Sequence, residues 1–192
     1  MLIKCLIASA VIVVAIVVVF LIAVAMQPTD FRITRSASMS ALPPEVFAQV
    51  NDFHNWQAWS PWEKLDPDLQ RTYAGSAEGK GAKYSWVGND KVGAGNMTIT
   101  ESRPSALIVI NLEFLKPFQA TNITEFSFQG EGDKTLVTWS MAGKNNFVAK
   151  AMCLFMNMDK LVGSDFEKGL ASMKAIVEAE PTPQGTAELT QN

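Results

Sequence analysis

Few side chains in this sequence are of the kind that does acid–base or metal chemistry inside a protein. There is one histidine, His54, two residues after Asp52. A His–Asp pair is part of a nucleophile-activating triad, yet a histidine in a solvated loop needs no such partner. Glu101 falls in phase with Met97 and Ile99 in an alternating stretch, which aims it at the apolar side. A carboxyl held there has a raised pKa and can serve as a cavity acid; the competing reading is a local ion pair with Arg103. Zinc has no ligand set, because His54 is alone and Cys5 and Cys153 are far apart in the chain. No metal or cofactor is therefore expected. The stretch from Gly75 to Gly81 brushes against the phosphate-loop pattern and fails it. Only three residues separate Gly75 from Gly79-Lys80, and Gly81 stands where a magnesium-binding hydroxyl is required. It is read as a turn. Gly93 and Gly95 make no dinucleotide fingerprint, since a strand follows them rather than a helix. Glu101 and His54 remain as catalytic candidates, without a constellation around either.

The elements that must position these groups belong to one domain and a leading apolar segment. The chain has 192 residues, 48% of them hydrophobic. From Cys5 to Met26 no charged residue occurs in 22 positions, and Gln27-Pro28-Thr29-Asp30 ends the run. As a helix it would reach roughly 33 Å, about one bilayer core. A transmembrane anchor over residues 1–30 is the expectation. A cleaved signal peptide competes with it, through the small residues Ala23-Val24-Ala25, but the apolar run is longer than a signal core of about 7–15 residues. Lys4 before the run and Arg32 and Arg35 after it leave the positive-inside count near a tie. The sequence reading places the chain in a membrane by a single pass, with the domain outside the cytoplasm as a signal-anchor would put it. Setting Lys4 aside, 15 basic residues face 19 acidic ones, a net charge of −4. With no basic stripe, nucleic acid is not an expected partner.

Pro43-Pro44-Glu45 opens a helix that runs to Val50, with proline in the first turn. Trp56-Gln57-Ala58-Trp59-Ser60-Pro61-Trp62 holds three of the five tryptophans. It reads either as an aromatic clamp on a ligand or as a hydrophobic corner plugging one end of a sheet. Strands are predicted at 31–39, 69–74, 82–87, 95–101, 106–115, 118–129 and 135–141, separated by Gly, Pro, Asn and Asp. Alternation puts Ile108, Ile110, Leu112, Phe114, Phe126, Phe128, Val137, Trp139, Met141, Tyr84 and Trp86 on one apolar face. From Met158 to Glu180, apolar residues recur every three or four positions (Met158, Val162, Phe166, Leu170, Met173, Val177), which predicts a long helix laid against that face. The segment from Phe147 to Met158 is apolar almost all round. It reads as a lid over a cavity, as a membrane contact, or as a rim buried in the fold. Residues 181–192, beginning Pro181-Thr182-Pro183, read as a disordered tail.

This order of elements resembles the SRPBCC superfamily (START-related lipid-transfer and polyketide cyclase/dehydrase-like proteins), and most of all its membrane-anchored bacterial members. The resemblance rests on Pro43-Pro44-Glu45-Val46-Phe47, Trp56 to Trp62, Gly81 to Trp86, Lys116-Pro117-Phe118, Val137 to Met141 and Asp165 to Leu170. It implies an α+β helix-grip fold over residues 31–180, a seven-stranded curved antiparallel sheet around a long C-terminal helix. It also implies a deep apolar cavity between sheet and helix, used for lipids, sterols or polyketides; it does not imply cyclase activity. The expected function is a membrane-tethered binding or carrier module for a hydrophobic or amphipathic small molecule. Tyr84, Trp86, Ile110, Leu112, Phe126, Trp139, Phe166 and Leu170 are its expected walls. Two alternatives stay open: a cyclase- or dehydratase-type enzyme using Glu101 or His54 as acid/base, and a protein-interaction domain whose interior is filled.

Overall fold

The computed structural model of the chain describes residues 2–179; Glu180 and the expected tail from residue 181 onward lie outside the described residues. The leading segment is a helix, α1 (Leu2–Ala25). Its described Leu, Ile and Val side chains from Leu6 to Ile22 are exposed, and near its end Val24 is fully buried. Among the described residues no helix is long and apolar enough to cross a membrane, which falls short of the span expected over Cys5–Met26.

Seven strands follow: β1 (Asp30–Met39), β2 (Gln70–Gly75), β3 (Ala82–Val87), β4 (Ala94–Arg103), β5 (Leu107–Lys116), β6 (Ala120–Glu131) and β7 (Lys134–Lys144). They form one antiparallel sheet in the order β1-β7-β6-β5-β4-β3-β2, so the chain meanders from β2 to β7 and β1 pairs with the last strand. The expected strand count and alternation hold, with ends displaced by at most three residues. The main exception in phase is β4. There Ile99 pairs with Ile110 but Glu101 with Val109, so Thr100 is an extra residue. Such a bulge exchanges inward and outward positions beyond it. Ser102 consequently points in, donating to Asn51 Oδ1 at 2.8 Å, and Glu101 points out.

Between β1 and β2 lie α2 (Pro43–Asn51), a 3-10 turn (Phe53–Asn55) and α3 (Trp56–Trp59). Proline occupies the first turn of α2, and the Glu45 carboxylate accepts from the Leu42 amide at 2.8 Å, closing the helix start. After β7 come α4 (Phe147–Cys153) and α5 (Met158–Ala179). Helix α5 buries Phe166, Leu170, Met173 and Val177, the stripe expected from its spacing. Each side chain so buried contributes roughly 1.5–3 kcal/mol before chain entropy is counted. Helix α5 lies along β1 and is fastened there by Arg35. The guanidinium donates to both Asp159 carboxylate oxygens, at 3.2 and 3.1 Å, and to Glu167 Oε1 at 2.7 Å. The close approach needs a glycine: a Cβ on Gly163 would lie 1.9 Å from Arg35 Nη2.

Candidate functional site

The space between the sheet and α5 is occupied unequally. At the end covered by α2 and α3 it is filled with rings. Phe166 of α5 stacks on Trp139 of β7 at 4.0 Å between centroids and 6° between planes, and Phe126 of β6 stacks on the same indole at 4.8 Å. Trp56, Trp59 and Trp62 meet that indole edge-on, at 6.5, 5.7 and 5.8 Å. The indole nitrogens of Trp56 and Trp59 donate to the carbonyls of Val50 and Gln49, at 3.1 and 2.9 Å. Proline at 61 ends α3 and turns Trp62 towards α5. The tryptophan cluster is therefore a plug, the second of its two sequence readings, and it presents no open clamp.

At the other end the space is hollow. A cavity of about 870 Å³ lies among the end of β1, the facing ends of β5, β6 and β7, helix α4 and the first turns of α5. Its floor includes Phe31, Ile33, Phe114 and Met141 from the sheet; Met152, Leu154, Phe155 and Met156 roof it, and Met158 and Val162 close the α5 side. Lys116, Lys144, Asn145 and Asp30 stand among its polar lining. No residue of α4 is buried, and Phe155 just after it is 78% exposed. The helix is held at its start by the Asn146 side chain, which accepts from the Ala149 amide at 2.9 Å, and by Lys150 Nζ donating to Thr29 Oγ1 at 2.9 Å. An element with so few buried contacts opens at low cost. Asp159 sits at the junction of α4, α5 and the cavity. Its carboxyl is held below the usual carboxylate range by hydrogen bonds from Arg35, whose own pKa is raised by Asp159 and Glu167.

The eight expected wall residues are brought together, but around the plug. Tyr84, Ile110, Phe126, Trp139, Phe166 and Leu170 are buried, Trp86 and Leu112 partly so, and none of the eight lines the cavity. Alternation identified the correct face of each strand; it carried no information on which end of that face stays empty. The Phe147–Met156 segment was the sequence signal for the cavity, in its lid reading.

Glu101 and His54 do not converge on any interior space. Glu101 is 51% exposed and pairs with Arg103 at 2.9 Å, because the bulge in β4 turns it outward. His54 is 53% exposed; its Nδ1 lies 2.7 Å from Asp52 Oδ1 and its ring stacks on Tyr73 at 3.9 Å. It borders a shallow hollow of about 150 Å³ near the β2–β3 turn. The acid/base assignment of the enzyme alternative is thereby corrected: the two groups are on the surface and away from the cavity. Among the described residues no cluster of three or more His, Cys, Asp or Glu could hold a metal.

Two buried carboxylates, Glu63 and Asp66, escaped the sequence reading. Glu63, 9% exposed, accepts from Tyr84 Oη and Arg71 Nε, each at 2.6 Å. Burial and this hydrogen bond push the Tyr84 phenol far up. Arg71 is raised by the same carboxylate. The group ties the loop after Trp62 to β2 and β3 and does not reach the cavity. Its position directly after the tryptophan cluster was the available hint.

Comparison with known proteins agrees with this architecture. Among curated proteins none matches the chain. Several solved structures share the fold. Protein CV1439 from Chromobacterium violaceum aligns over 80% of this chain and 100% of its own, with 15% identity and a TM-score of 0.56. Protein SA2116 from Staphylococcus aureus aligns over 81% and 97%, with 10% identity and a TM-score of 0.59. The Aha1 dimer from Colwellia psychrerythraea aligns over 77% and 96%, with 13% identity and a TM-score of 0.56. At such identities the likeness is one of fold alone. In sequence, the family described as polyketide cyclase/dehydrase and lipid transport matches residues 30–178, from the first strand almost to the end of the last helix. The chain therefore belongs to the polyketide cyclase/dehydrase and lipid transport family, within the SRPBCC superfamily of helix-grip proteins.

Proposed function

We propose that this protein is a membrane-tethered module that holds a hydrophobic or amphipathic small molecule in the cavity beneath α4. The observation that carries the reading is the cavity itself, about 870 Å³ bounded by Ile33, Phe114, Met141, Met152 and Val162. A wide, mostly apolar pocket of this size, beside a half of the protein packed with rings, is the kind of concave site in which a small hydrophobic molecule is buried. An acyl chain or similar group would seat against these side chains, with a polar head at the rim beside Lys116 and Lys144. Family membership agrees, since its description includes lipid transport. Tethering is supported by the charge-free run from Cys5 to Met26 and by the exposed Leu, Ile and Val side chains of α1. As a signal-anchor, α1 would leave the domain outside the cytoplasm, which protease protection of the intact cell membrane would test.

Each methylene moved from water into the cavity contributes about 0.8 kcal/mol, close to a fourfold gain in affinity. Saturated fatty acids of increasing length should therefore bind the purified full chain progressively tighter until the hollow is full. Native mass spectrometry after gentle detergent extraction should also find a lipid-like molecule bound. A protein that emerges empty and whose affinity for fatty acids does not depend on chain length would overturn the reading.

A further inference from the structure

The cavity mouth and α1 are joined by a contact that fixes where the mouth must lie. Phe20 stacks on Phe155 with centroids 6.5 Å apart, and α1 packs on α4 near its end, where Val24 is fully buried. Phe20 is six residues before Met26, the last of the charge-free run, roughly 9 Å along a helix axis. A group held beside Phe20 therefore sits at the depth of the apolar run, not beyond it. The surroundings of Phe155 fit that depth: Phe118 on the β5–β6 turn, Phe147, Val148 and Met156 are all exposed. Charge changes just outside this apolar patch. Lys116, Lys144 and Lys150 lie at the rim or on α4, against Asp30 and Asp159, and Asp159 is already paired with Arg35. The rim is thus net positive in a chain whose formal charge is −3, with cations placed to meet lipid phosphates.

From this we infer that α4 and the segment following it rest in the membrane surface, with Phe155 among the acyl chains. The cavity then opens onto lipid rather than water. The occupant of this face is a phospholipid bilayer, and a molecule held in the cavity enters and leaves sideways from the leaflet, without crossing the aqueous phase. The inference rests on α1 being a membrane tether, and its test separates the two.

The full chain with Cys5→Ser and Cys153→Ser is given one new thiol, either Phe155→Cys or, as a control, Asp133→Cys. Asp133 lies in the β6–β7 turn, at the far end of strands that run about 35 Å from the cavity. Each is labelled with an environment-sensitive nitrobenzoxadiazole dye and reconstituted in phosphatidylcholine vesicles, with and without phosphatidylglycerol. Flotation on a density gradient reports tethering independently of the dye. The expected result is that both proteins float, that the dye at 155 emits at shorter wavelength and is quenched by nitroxide-bearing lipids, and that the dye at 133 is quenched only by aqueous iodide. Phosphatidylglycerol should strengthen the lipid quenching at 155. Floating protein with iodide-quenched dye at both positions overturns the inference and leaves the tether standing. Protein that does not float overturns both. A second variant, Phe155→Asp with the thiol at Met156→Cys, should float normally yet lose the lipid quenching; if it keeps it, the insertion of Phe155 among the acyl chains is overturned.

Discussion

Trp139 and Met141 are two residues apart on β7 and face the same side of the same sheet. Trp139 is stacked between Phe126 and Phe166, whereas Met141 looks into the cavity. The strand does not distinguish them; what lies above it does. Over Trp139 the chain places α3, whose rings and the following Trp62 supply a large volume on a short backbone. Over Met141 it places α4, a seven-residue helix none of whose own residues is buried. One half of the interior is therefore organised for cohesion and the other for vacancy. Substitutions in the first should read out as stability, and substitutions in the second as ligand affinity.

The largest effect is expected at the centre of the filled half. Trp139→Ala removes the ring on which Phe126, Phe166 and three tryptophans pack, and should destabilise the fold by about 3–5 kcal/mol in chemical denaturation. A loss below 1 kcal/mol would mean that the plug is loosely packed and the contrast with the cavity is false. Gly169→Val comes next. A Cβ at Gly169 would lie 2.8 Å from the Trp139 ring and 3.2 Å from Pro61 Cδ, and neither neighbour is a flexible side-chain end. Overpacking there should cost about 1–3 kcal/mol, and fatty-acid affinity should change little once folded protein is compared with folded protein.

A smaller effect belongs to Tyr84 at the margin of the filled half. Its phenol is neutral in the folded protein and its pKa is raised by burial and by donation to Glu63. An unfolded tyrosine ionises near its ordinary value of about 10, so the unfolded chain releases a proton there while the folded one keeps it. The stability from this group is complete below that pH and is lost as pH rises above it. Tyr84→Phe should make unfolding between about pH 9 and 11 less steep in pH, while costing about 1–2 kcal/mol at neutral pH because Glu63 keeps only Arg71. An unchanged alkaline slope would show that another group controls it.

How much of this was legible in the sequence follows the same division. Strand alternation and the spacing on α5 identified the sheet, the terminal helix and the inward faces, because those depend on periods of two and about 3.6 that any stretch displays locally. The Thr100 bulge was invisible, since an extra residue changes phase without changing composition. Glu101 was placed inside for that reason alone. The expected wall residues lie around the plug for a different reason. Tyr84, Trp86, Phe126, Trp139 and Phe166 are the largest inward side chains, and large rings fill space instead of leaving it. Beside the rings Phe31, Phe114, Phe118 and Phe155, the cavity is lined by smaller or more flexible side chains, Met141, Met152, Met156, Met158 and Val162. The run of methionines from Met152 to Met158 carried that signal, though nothing local says that it roofs the ends of β5, β6 and β7.

The finest test of the contrast adds volume where the interior is empty. Val162 lies on α5 one turn before Phe166, at the boundary between cavity and plug. Val162→Trp places a ring in the hollow without burying a new charge, and valine and tryptophan differ little in helix propensity. Stability should shift by less than about 1 kcal/mol, since the ring enters existing space instead of displacing packed atoms. Affinity should fall, because a ring that excludes only two methylenes of a bound chain forfeits about 1.6 kcal/mol, about fifteenfold. The chain-length series should also reach its plateau at a shorter acid. If the variant binds as the parent does while Gly169→Val does not, the vacancy that matters lies beside the plug, and the two halves would have to be exchanged in their assigned tasks.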